Sequence, residues 1–193
     1  AARIAAALAG SAIVASHGRI HGLVNNAGGQ YISPLENISA KGFEAVVATN
    51  LTGGFLMARE CHSQSMRTHG GAIVNIVADM WGSMPNMGHS GAARAGMVSL
   101  TETAAVEWAA HGVRVNAVAP GYIASSGMDH YPPEAAPMLR AMKKTVPLQR
   151  FGTEADISHA MAAADLDGDG DLDVVVNRLG APALVLRNDA TAP

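Results

Sequence analysis

A cluster of carboxylates near the end of the chain has the residue types and the spacing to hold a hard cation. Five aspartates stand within nine residues, at Asp165, Asp167, Asp169, Asp171 and Asp173. A calcium loop of the DxDxDG type takes carboxylates at its positions 1, 3 and 5 and a carbonyl at position 7, which Asp171 would supply here. An EF-hand requires Glu at position 12, where this chain has Val176. The pattern predicts a calcium loop outside the EF-hand class; the alternative is a solvated acidic turn whose charges repel one another.

The segment after the aspartates has the pattern of a hairpin. It reads VVVN, then a turn at Gly180-Ala-Pro182, then LVLRN, which predicts strand, turn and strand. With the acidic run it resembles the FG-GAP/VCBS repeat of calcium-binding β-propellers. One repeat cannot form a propeller, because stacked neighbours are needed to bury a core. We therefore expect residues 160–193 to be a hairpin fragment joined to a different fold.

Three runs of small and amide residues further upstream have the character of a ligand site. They are NNAG at 25–28, NLTG at 50–53 and NAVAPG at 116–121. Glycine and alanine let a ligand approach the backbone closely, and two of the runs follow apolar strands, where ligands bind in open α/β sheets. Asn50 falls inside a helix, where its amide competes for backbone groups.

In this order the three runs resemble the cofactor-binding half of the short-chain dehydrogenase/reductase family, over roughly residues 10–158. The resemblance implies a Rossmann-type fold with NAD or NADP as its cofactor. It also implies that Asn50 breaks helical bonding and holds a water in the proton relay. The resemblance implies cofactor contacts in two loops of this chain. The first loop supplies Asn26, Ala27 and Gly28, and the second supplies Pro120, Gly121 and Ile123.

The catalytic pair of that family is replaced in this chain. The family carries Tyr and Lys four residues apart on one helix face, and the Lys lowers the pKa of the phenol for proton exchange near neutral pH. Here Ser90 stands at the Tyr position and Arg94 at the Lys position, and NIVA at 75–78 lacks the upstream catalytic Ser. A serine hydroxyl is too weak an acid to replace tyrosine. Arg94 cannot give up its proton, although it can bind ribose hydroxyls or a developing oxyanion.

A branch of the family with a different chemistry fits this replacement. HSGAARAG, with VEWA, NAVAPG and SSGMDHY downstream, resembles the peroxisomal trans-2-enoyl-CoA reductases and dienoyl-CoA reductases. There hydride goes to the β-carbon of a conjugated thioester, and the enolate that develops needs an electrophile. The resemblance implies an acyl-CoA-like substrate, Asn50, Ser90 and Arg94 as catalytic residues, and water or His89 as proton source. The alternative is that Ser90 and Arg94 are structural residues of an inactive copy.

A further feature of the family is missing from the sequence. No GxxxGxG loop occurs, although in the family this loop and the helix after it bind the pyrophosphate. The resemblance places some two βαβ units, at about 30 residues each, ahead of Ala1. We therefore expect this chain alone to bind NAD or NADP weakly or not at all, and the sequence does not distinguish between the two.

The elements that must position these residues alternate strands with helices, as in βαβ units on a parallel sheet. We expect strands at 21–25, 72–77 and 113–119. The expected helices are an Ala-rich one over 1–16, one that starts after Ser39 and runs past residue 58, one over 90–110 and one that opens at 132–133. The first helix could instead be a signal peptide. The predicted fold is α/β, a truncated Rossmann-type three-layer parallel sheet in residues 1–159 with the C-terminal hairpin fragment in 160–193.

Composition excludes several classes of function. The net charge of −3 gives no basic surface for nucleic acid, and no apolar run reaches the roughly 18 residues needed to span a bilayer. The eight His occur in no HExxH or paired Cys/His spacing, and the single Cys61 excludes an internal disulfide. The first part of the chain predicts a cytoplasmic protein, whereas relatives of the acidic tail are usually extracellular.

Three functions compete at this point. The first, which we favour, is an NAD(P)-dependent oxidoreductase of the enoyl-CoA reductase type, impaired in this chain. The second is a non-catalytic fusion fragment whose only working site is the calcium loop, and the third is a binding module of the same fold without turnover. Members of the family commonly pair through the helices equivalent to 40–67 and 90–110, so we also expect a homo-oligomer by analogy.

We predict that the acidic loop binds calcium with a dissociation constant of about 10⁻⁴–10⁻³ M, the range of extracellular modules. The affinity is weak because the hairpin lacks its propeller neighbours. Calorimetry compares the wild-type chain with the Asp167→Ala, Asp169→Ala double variant, which should lose the calcium heat. Equal heats in the two proteins would show that the loop is a solvated acidic turn.

Overall fold

Three parallel strands form the sheet around which the chain folds. A computed structural model of the chain describes residues 2–124, 133–153, 155–156, 174–176 and 184–186. Strands β1 (Gly22–Asn25), β2 (Gly71–Ile76) and β3 (Val113–Val118) lie side by side in that order, and both pairs are parallel. All of β1 and most of β2 are buried, as is usual when helices cover a parallel sheet. The expected strands are confirmed to within one residue at each end.

The first helical connection is longer and less regular than a single helix. Helix α1 (Ala2–His17) matches the Ala-rich segment and precedes β1. After β1 come a 3₁₀ turn (Leu35–Asn37) and α2 (Ala40–Val47), whose first turn is capped by the Ser39 hydroxyl accepting from the amide of Gly42 at 3.1 Å.

Two wide π-helical turns then interrupt what the sequence predicted as one continuous helix. They are Ala48–Thr52 and His62–Met66, on either side of α3 (Gly53–Cys61), and α4 (Arg67–His69) completes the connection. Gly70 leaves the helix with a φ of 71°, a conformation that glycine adopts without strain.

The second connection is one long helix. Helix α5 (Gly88–Trp108) starts two residues before the predicted 90–110 helix, and a 3₁₀ turn (Ala109–His111) follows it. Gly112, with a φ of 70°, ends this turn in the left-handed conformation typical of a C-cap. Helix α5 packs against β3 and α3 packs against β1. A parallel sheet with helices packed on it confirms the predicted α/β fold class.

The remaining described elements lie after the sheet. A 3₁₀ turn (Pro133–Ala135) leads into α6 (Ala136–Thr145). Strands β4 (Val174–Val176) and β5 (Leu184–Leu186) pair in antiparallel fashion, as the hairpin pattern predicted. The five aspartates of the predicted calcium loop and the Gly180-Ala-Pro182 turn lie outside the described residues.

The core between the sheet and the helices is built from small and aliphatic side chains. Its buried members are Ile20, Leu23, Ala58, Cys61, Met66, Ile73, Ala104, Val113 and Val115. Burial raises the pKa of the Cys61 thiol to about 12. The thiol therefore stays protonated at neutral pH and packs as a small apolar group instead of acting as a nucleophile.

A chain of buried hydrogen bonds ties the carboxyl ends of β1 and β2 to α5. The amide of Asn25 donates to the side-chain oxygen of Asn75 at 2.8 Å, and Asn75 donates to the Thr101 hydroxyl at 2.8 Å. Thr101 in turn donates to the carbonyl of Met97 at 2.7 Å. Each donor in the chain has an acceptor, so these polar groups are buried without leaving a hydrogen bond unmade.

In the part of the chain that the structure describes, no helix combines the length and the apolar character needed to cross a membrane.

Replacing Thr101 should destabilise the chain far more than replacing its neighbour Thr103. Thr101→Ala leaves the buried Asn75 amide without its acceptor, which costs about 1–3 kcal/mol. Thr103 makes the same kind of bond to the carbonyl four residues earlier but is exposed, so Thr103→Ala should change the free energy of unfolding by less than about 0.5 kcal/mol. Urea denaturation of the two variants measures the difference, and equal losses would contradict a structural role for the buried bonds.

Candidate functional site

The first predicted loop and Asn50 meet at the carboxyl end of β1. Asn50 lies in the π-helical turn Ala48–Thr52 and is buried. Its amide nitrogen donates to the Gly29 carbonyl at 2.9 Å, and its side-chain oxygen accepts from the Gly29 amide at 2.8 Å. The sequence predicted that Asn50 disturbs the helix, and the helix is widened at that residue. It did not predict Gly29 as the partner, because a backbone contact leaves no signal in residue type.

Gly28 marks the point where three elements converge. A Cβ atom at Gly28 would overlap the Arg94 guanidinium and would lie 2.7 Å from the Asn50 side-chain oxygen. A Cβ atom at Gly29, one residue later, would meet no other atom within 4 Å. The sequence interpretation assigned the small residues of this loop to close approach by a ligand. The structure adds a second reason, since Gly28 must be small to admit two side chains of the protein itself.

Arg94 reaches this junction from α5. Its Nη1 donates to the carbonyl of Ile76 at 2.6 Å, while its Nε is buried and has no hydrogen-bond partner among the described residues. Burial lowers the pKa of Arg94, yet a guanidinium keeps its proton in proteins. Within the described residues no carboxylate forms an ion pair with it. The site therefore contains a largely buried cation without a counter-charge, which is costly until an anion binds.

Ser90 lies one helical turn before Arg94 and is buried. Its backbone amide donates to Nδ1 of His89 at 2.9 Å. Because Nδ1 accepts a hydrogen bond, the neutral ring carries its proton on Nε2. That nitrogen is buried and has no hydrogen-bond partner in the described part of the chain, and the Tyr31 ring stands perpendicular to the imidazole at 4.5 Å. His89, the proton source considered beside water, is thus closed off from solvent in this conformation.

The second predicted loop follows β3 and lies beside the loop that follows β2. The carbonyl of Pro120 accepts from the amide of Asp79 at 3.3 Å. A Cβ atom at Gly121, next to Pro120, would meet no other atom within 4 Å. These positions bring the second loop to the same edge of the sheet as the first. Of the first loop, Asn26 and Ala27 lie between Asn25, which ends β1, and Gly28.

Ile123 is held by a short parallel bridge to Gly152. The carbonyl of Tyr122 accepts from the Gly152 amide, and the Ala124 amide donates to the Gly152 carbonyl, both at 2.8 Å. In a parallel ladder the groups of the intervening residue point the other way. The amide and carbonyl of Ile123 are therefore directed away from Gly152 and are free of this bridge.

The segment that carries Gly152 is itself fixed by an ion pair. Arg150 donates to both carboxylate oxygens of Asp156, at 3.0 and 3.2 Å, and the amide of Thr153 donates to Asp156 at 2.6 Å. These bonds hold the pKa of Asp156 well below its usual range. Sequence reasoning missed this segment; the Thr153-x-x-Asp156 spacing, typical of a local side-chain turn, was the available signal.

The geometry agrees with the comparison to known families. A family model described as enoyl-(acyl carrier protein) reductase matches residues 3–167, which include all of the described site. The chain belongs to the short-chain dehydrogenase/reductase family.

Individual relatives differ in their reactions. A probable 2,4-dienoyl-CoA reductase from Bacillus subtilis is 38% identical over 78% of this chain. The structure of a citronellol catabolism dehydrogenase from Pseudomonas aeruginosa PAO1 is 53% identical over 83% of the chain, with a TM-score of 0.69. ElxO, solved with NADP bound, is 27% identical over 88% of the chain, with a TM-score of 0.77. The chain spans 60% of the Bacillus protein, 61% of the Pseudomonas protein and 68% of ElxO.

Two neighbouring glycines offer a matched test of this site. Gly28→Ala would force the Arg94 and Asn50 side chains apart, and overpacking of this kind costs about 1–3 kcal/mol. Gly29→Ala points into open space and should stay within about 0.5 kcal/mol of the wild type. Urea denaturation gives both values. If the two substitutions destabilise the chain equally, the interpretation that Gly28 must be small to admit the Arg94 and Asn50 side chains is wrong.

Proposed function

We propose that this site belongs to an NAD(P)-dependent oxidoreductase that reduces the double bond of a conjugated acyl thioester. The observation that carries the proposal is the Arg94 guanidinium, which is largely buried and lacks a counter-charge among the described residues. The resemblance to the family assigns this residue to the Lys position of the catalytic helix. A site with a permanent cation and no tyrosine suits a reaction that develops negative charge on oxygen and protonates a carbon.

Several groups fit a nicotinamide dinucleotide at the sheet edge. The amide and carbonyl of Ile123 point away from Gly152, and the resemblance to the family assigns them to the nicotinamide carboxamide. The backbone at 26–28 follows β1, where α/β sheets bind ligands. The bound nicotinamide would supply the hydride. ElxO, whose structure holds NADP, supports this class of cofactor, while the choice between NAD and NADP stays open.

The residues of this chain would act on the charge that hydride addition creates. As the β-carbon of the thioester gains hydride, the electron pair of the double bond moves toward the thioester oxygen, and Arg94 would stabilise that oxygen. Ser90 would donate a hydrogen bond from the preceding turn of α5. Asn50 would keep the first loop in place through Gly29. The α-carbon would then take a proton from water or from His89, which is buried next to Ser90.

The absence of the family's tyrosine acid favours an enoyl thioester over a simple carbonyl compound as the substrate. Reduction of a simple carbonyl leaves an alkoxide that must be protonated on oxygen, a task for which a serine hydroxyl is too weak. Reduction of an enoyl thioester has no such need. The Bacillus relative, a probable 2,4-dienoyl-CoA reductase, favours the thioester. The Pseudomonas relative, a citronellol catabolism dehydrogenase, makes a carbonyl or alcohol substrate the competing outcome of the test.

Two further proposals rest on other parts of the chain. The acidic loop at 165–173 is a second candidate site, for calcium. This proposal rests on the sequence pattern alone, and the calorimetric comparison described above tests it.

A groove of about 340 Å³ runs between α3 and α5, with Phe55 and Leu100 in its lining. By analogy with the family, two copies would pair through these helices, which the sedimentation coefficient of the chain tests.

The proposed role of Arg94 predicts a large loss of turnover. Activity is measured on a protein in which two βαβ units with a GxxxGxG loop are joined ahead of Ala1, with a trans-2-enoyl-CoA as substrate. Arg94→Ala should lower kcat by about 10²–10³, the value of one oxyanion donor, and Arg94→Lys should recover part of it. Arg67→Ala, at an exposed arginine of α4, is the control and should leave kcat unchanged.

Two outcomes would overturn this assignment. An unchanged kcat in Arg94→Ala would make the guanidinium a structural group. Turnover of a ketone in preference to the enoyl thioester would replace the substrate class. Fluorescence titration of NADH and NADPH into the 193-residue chain and the extended protein measures cofactor binding. It shows whether a loss of turnover comes from weaker cofactor binding or from a slower catalytic step.

A further inference from the structure

The loops that follow all three parallel strands present large apolar side chains to solvent. Tyr31 and Leu35 come after β1 and are 40% and 69% exposed. Trp81 comes after β2 and is 68% exposed, and Tyr122 comes after β3 and is 43% exposed. Because the carboxyl ends of parallel strands meet at one edge of a sheet, these four residues lie around the candidate site. We call them the apolar rim.

Backbone hydrogen bonds join the three loops into one surface. The amide of Ser33 donates to the carbonyl of Asn86 at 2.9 Å, which links the loops after β1 and β2. The amide of Asp79 donates to the carbonyl of Pro120 at 3.3 Å, which links the loops after β2 and β3. The rim is therefore a connected feature and not a set of unrelated exposed residues.

The rim touches the residues on either side of Ser90. The Leu35 side chain contacts Gly88, and Tyr31 stands against the His89 ring. Met84, from the loop that carries Trp81, packs against Gly91. An apolar ligand part that lies on the rim would thus extend directly from a reacting group held near Ser90.

The loop between β2 and α5 holds Trp81 in a defined position. The amide of Ser83 donates to the carbonyl of Met80, and the amide of Met87 donates to the carbonyl of Met84, both at 3.0 Å. Ser83 has a φ of 68°, a left-handed conformation that few non-glycine residues adopt. Backbone of this kind is concentrated at binding sites. Trp81 lies within the first of these two successive tight turns.

The three loops that carry the apolar rim contain no basic residue. Residues 26–39, 77–87 and 119–124 contain Glu36 and Asp79 but no Lys or Arg. A phosphate-rich part of a ligand would find no cation here, whereas a hydrocarbon chain would find Trp81, Leu35 and the flexible Met side chains, which adapt to irregular apolar surfaces.

We propose that the apolar rim seats the hydrocarbon chain of the substrate and that Trp81 sets a preference for long chains. The proposal rests on the proposed function for the position of the reacting group, near Arg94. It adds which residues of this chain meet the unreactive end of the substrate. The large exposed area of Trp81 is the part of the rim that a bound chain would cover most.

Binding to the 193-residue chain tests the proposal without any turnover. Calorimetry compares dodecanoyl-CoA with butanoyl-CoA, the longer one kept below its micelle concentration. The wild-type chain should bind dodecanoyl-CoA at least about 10-fold more tightly, since even one methylene in an apolar site is worth roughly that factor. Trp81→Ala should bring the ratio of the two dissociation constants close to one. Leu35→Ala should lower it by a smaller amount.

Val106→Ala is the matched control, because Val106 is also apolar and 80% exposed but lies on α5 four turns beyond Ser90. It should leave the ratio unchanged. Equal affinities for the two chain lengths in the wild type, or an unchanged ratio in Trp81→Ala, would overturn the proposal. The two proposals can fail separately. If the wild type still prefers the longer chain but Arg94→Ala keeps full turnover, the proposed reaction is wrong and the role of the apolar rim stands.

Discussion

The candidate site depends on one largely buried cation and the groups that are arranged around it. Arg94 leaves α5, donates to the end of β2 at Ile76 and lies against Gly28 in the loop after β1. Asn50 closes the arrangement by binding both backbone groups of Gly29. No carboxylate in the described part of the chain neutralises Arg94. The fold thus maintains a positive charge at low dielectric, where its effect on a neighbouring anion is strongest.

The sequence predicted the parts of this arrangement that residue type and periodicity encode. Short apolar runs predicted the three strands, and apolar residues near helical spacing predicted α5, each to within one or two residues. Asn50 was found because an amide inside a helix is unusual, and Arg94 because its spacing from Ser90 matches a known pair. Each of these signals is local, and local signals survive in a single sequence.

Other features were beyond the reach of that reasoning because they arise from packing. The second π-helical turn at His62–Met66 leaves no mark in residue type, since the same residues would fit an ordinary helix. The link from Ile123 to Gly152 joins loops far apart in the chain. His89 was a candidate proton source on chemistry alone, and its complete burial behind Tyr31 depends on how the loop after β1 meets the start of α5.

The hydrogen-bonded pair of Asn25 and Asn75 has a consequence for the accuracy of folding. These residues stand directly opposite each other on β1 and β2. If the strands slipped by one position, each amide would face away from its partner, because alternate residues point to opposite sides of a sheet. The buried bond between them would then be lost, and a buried polar group without its partner costs about 1–3 kcal/mol. The aliphatic side chains of these strands make no directional bond, so the polar pair favours the native register more specifically than they do.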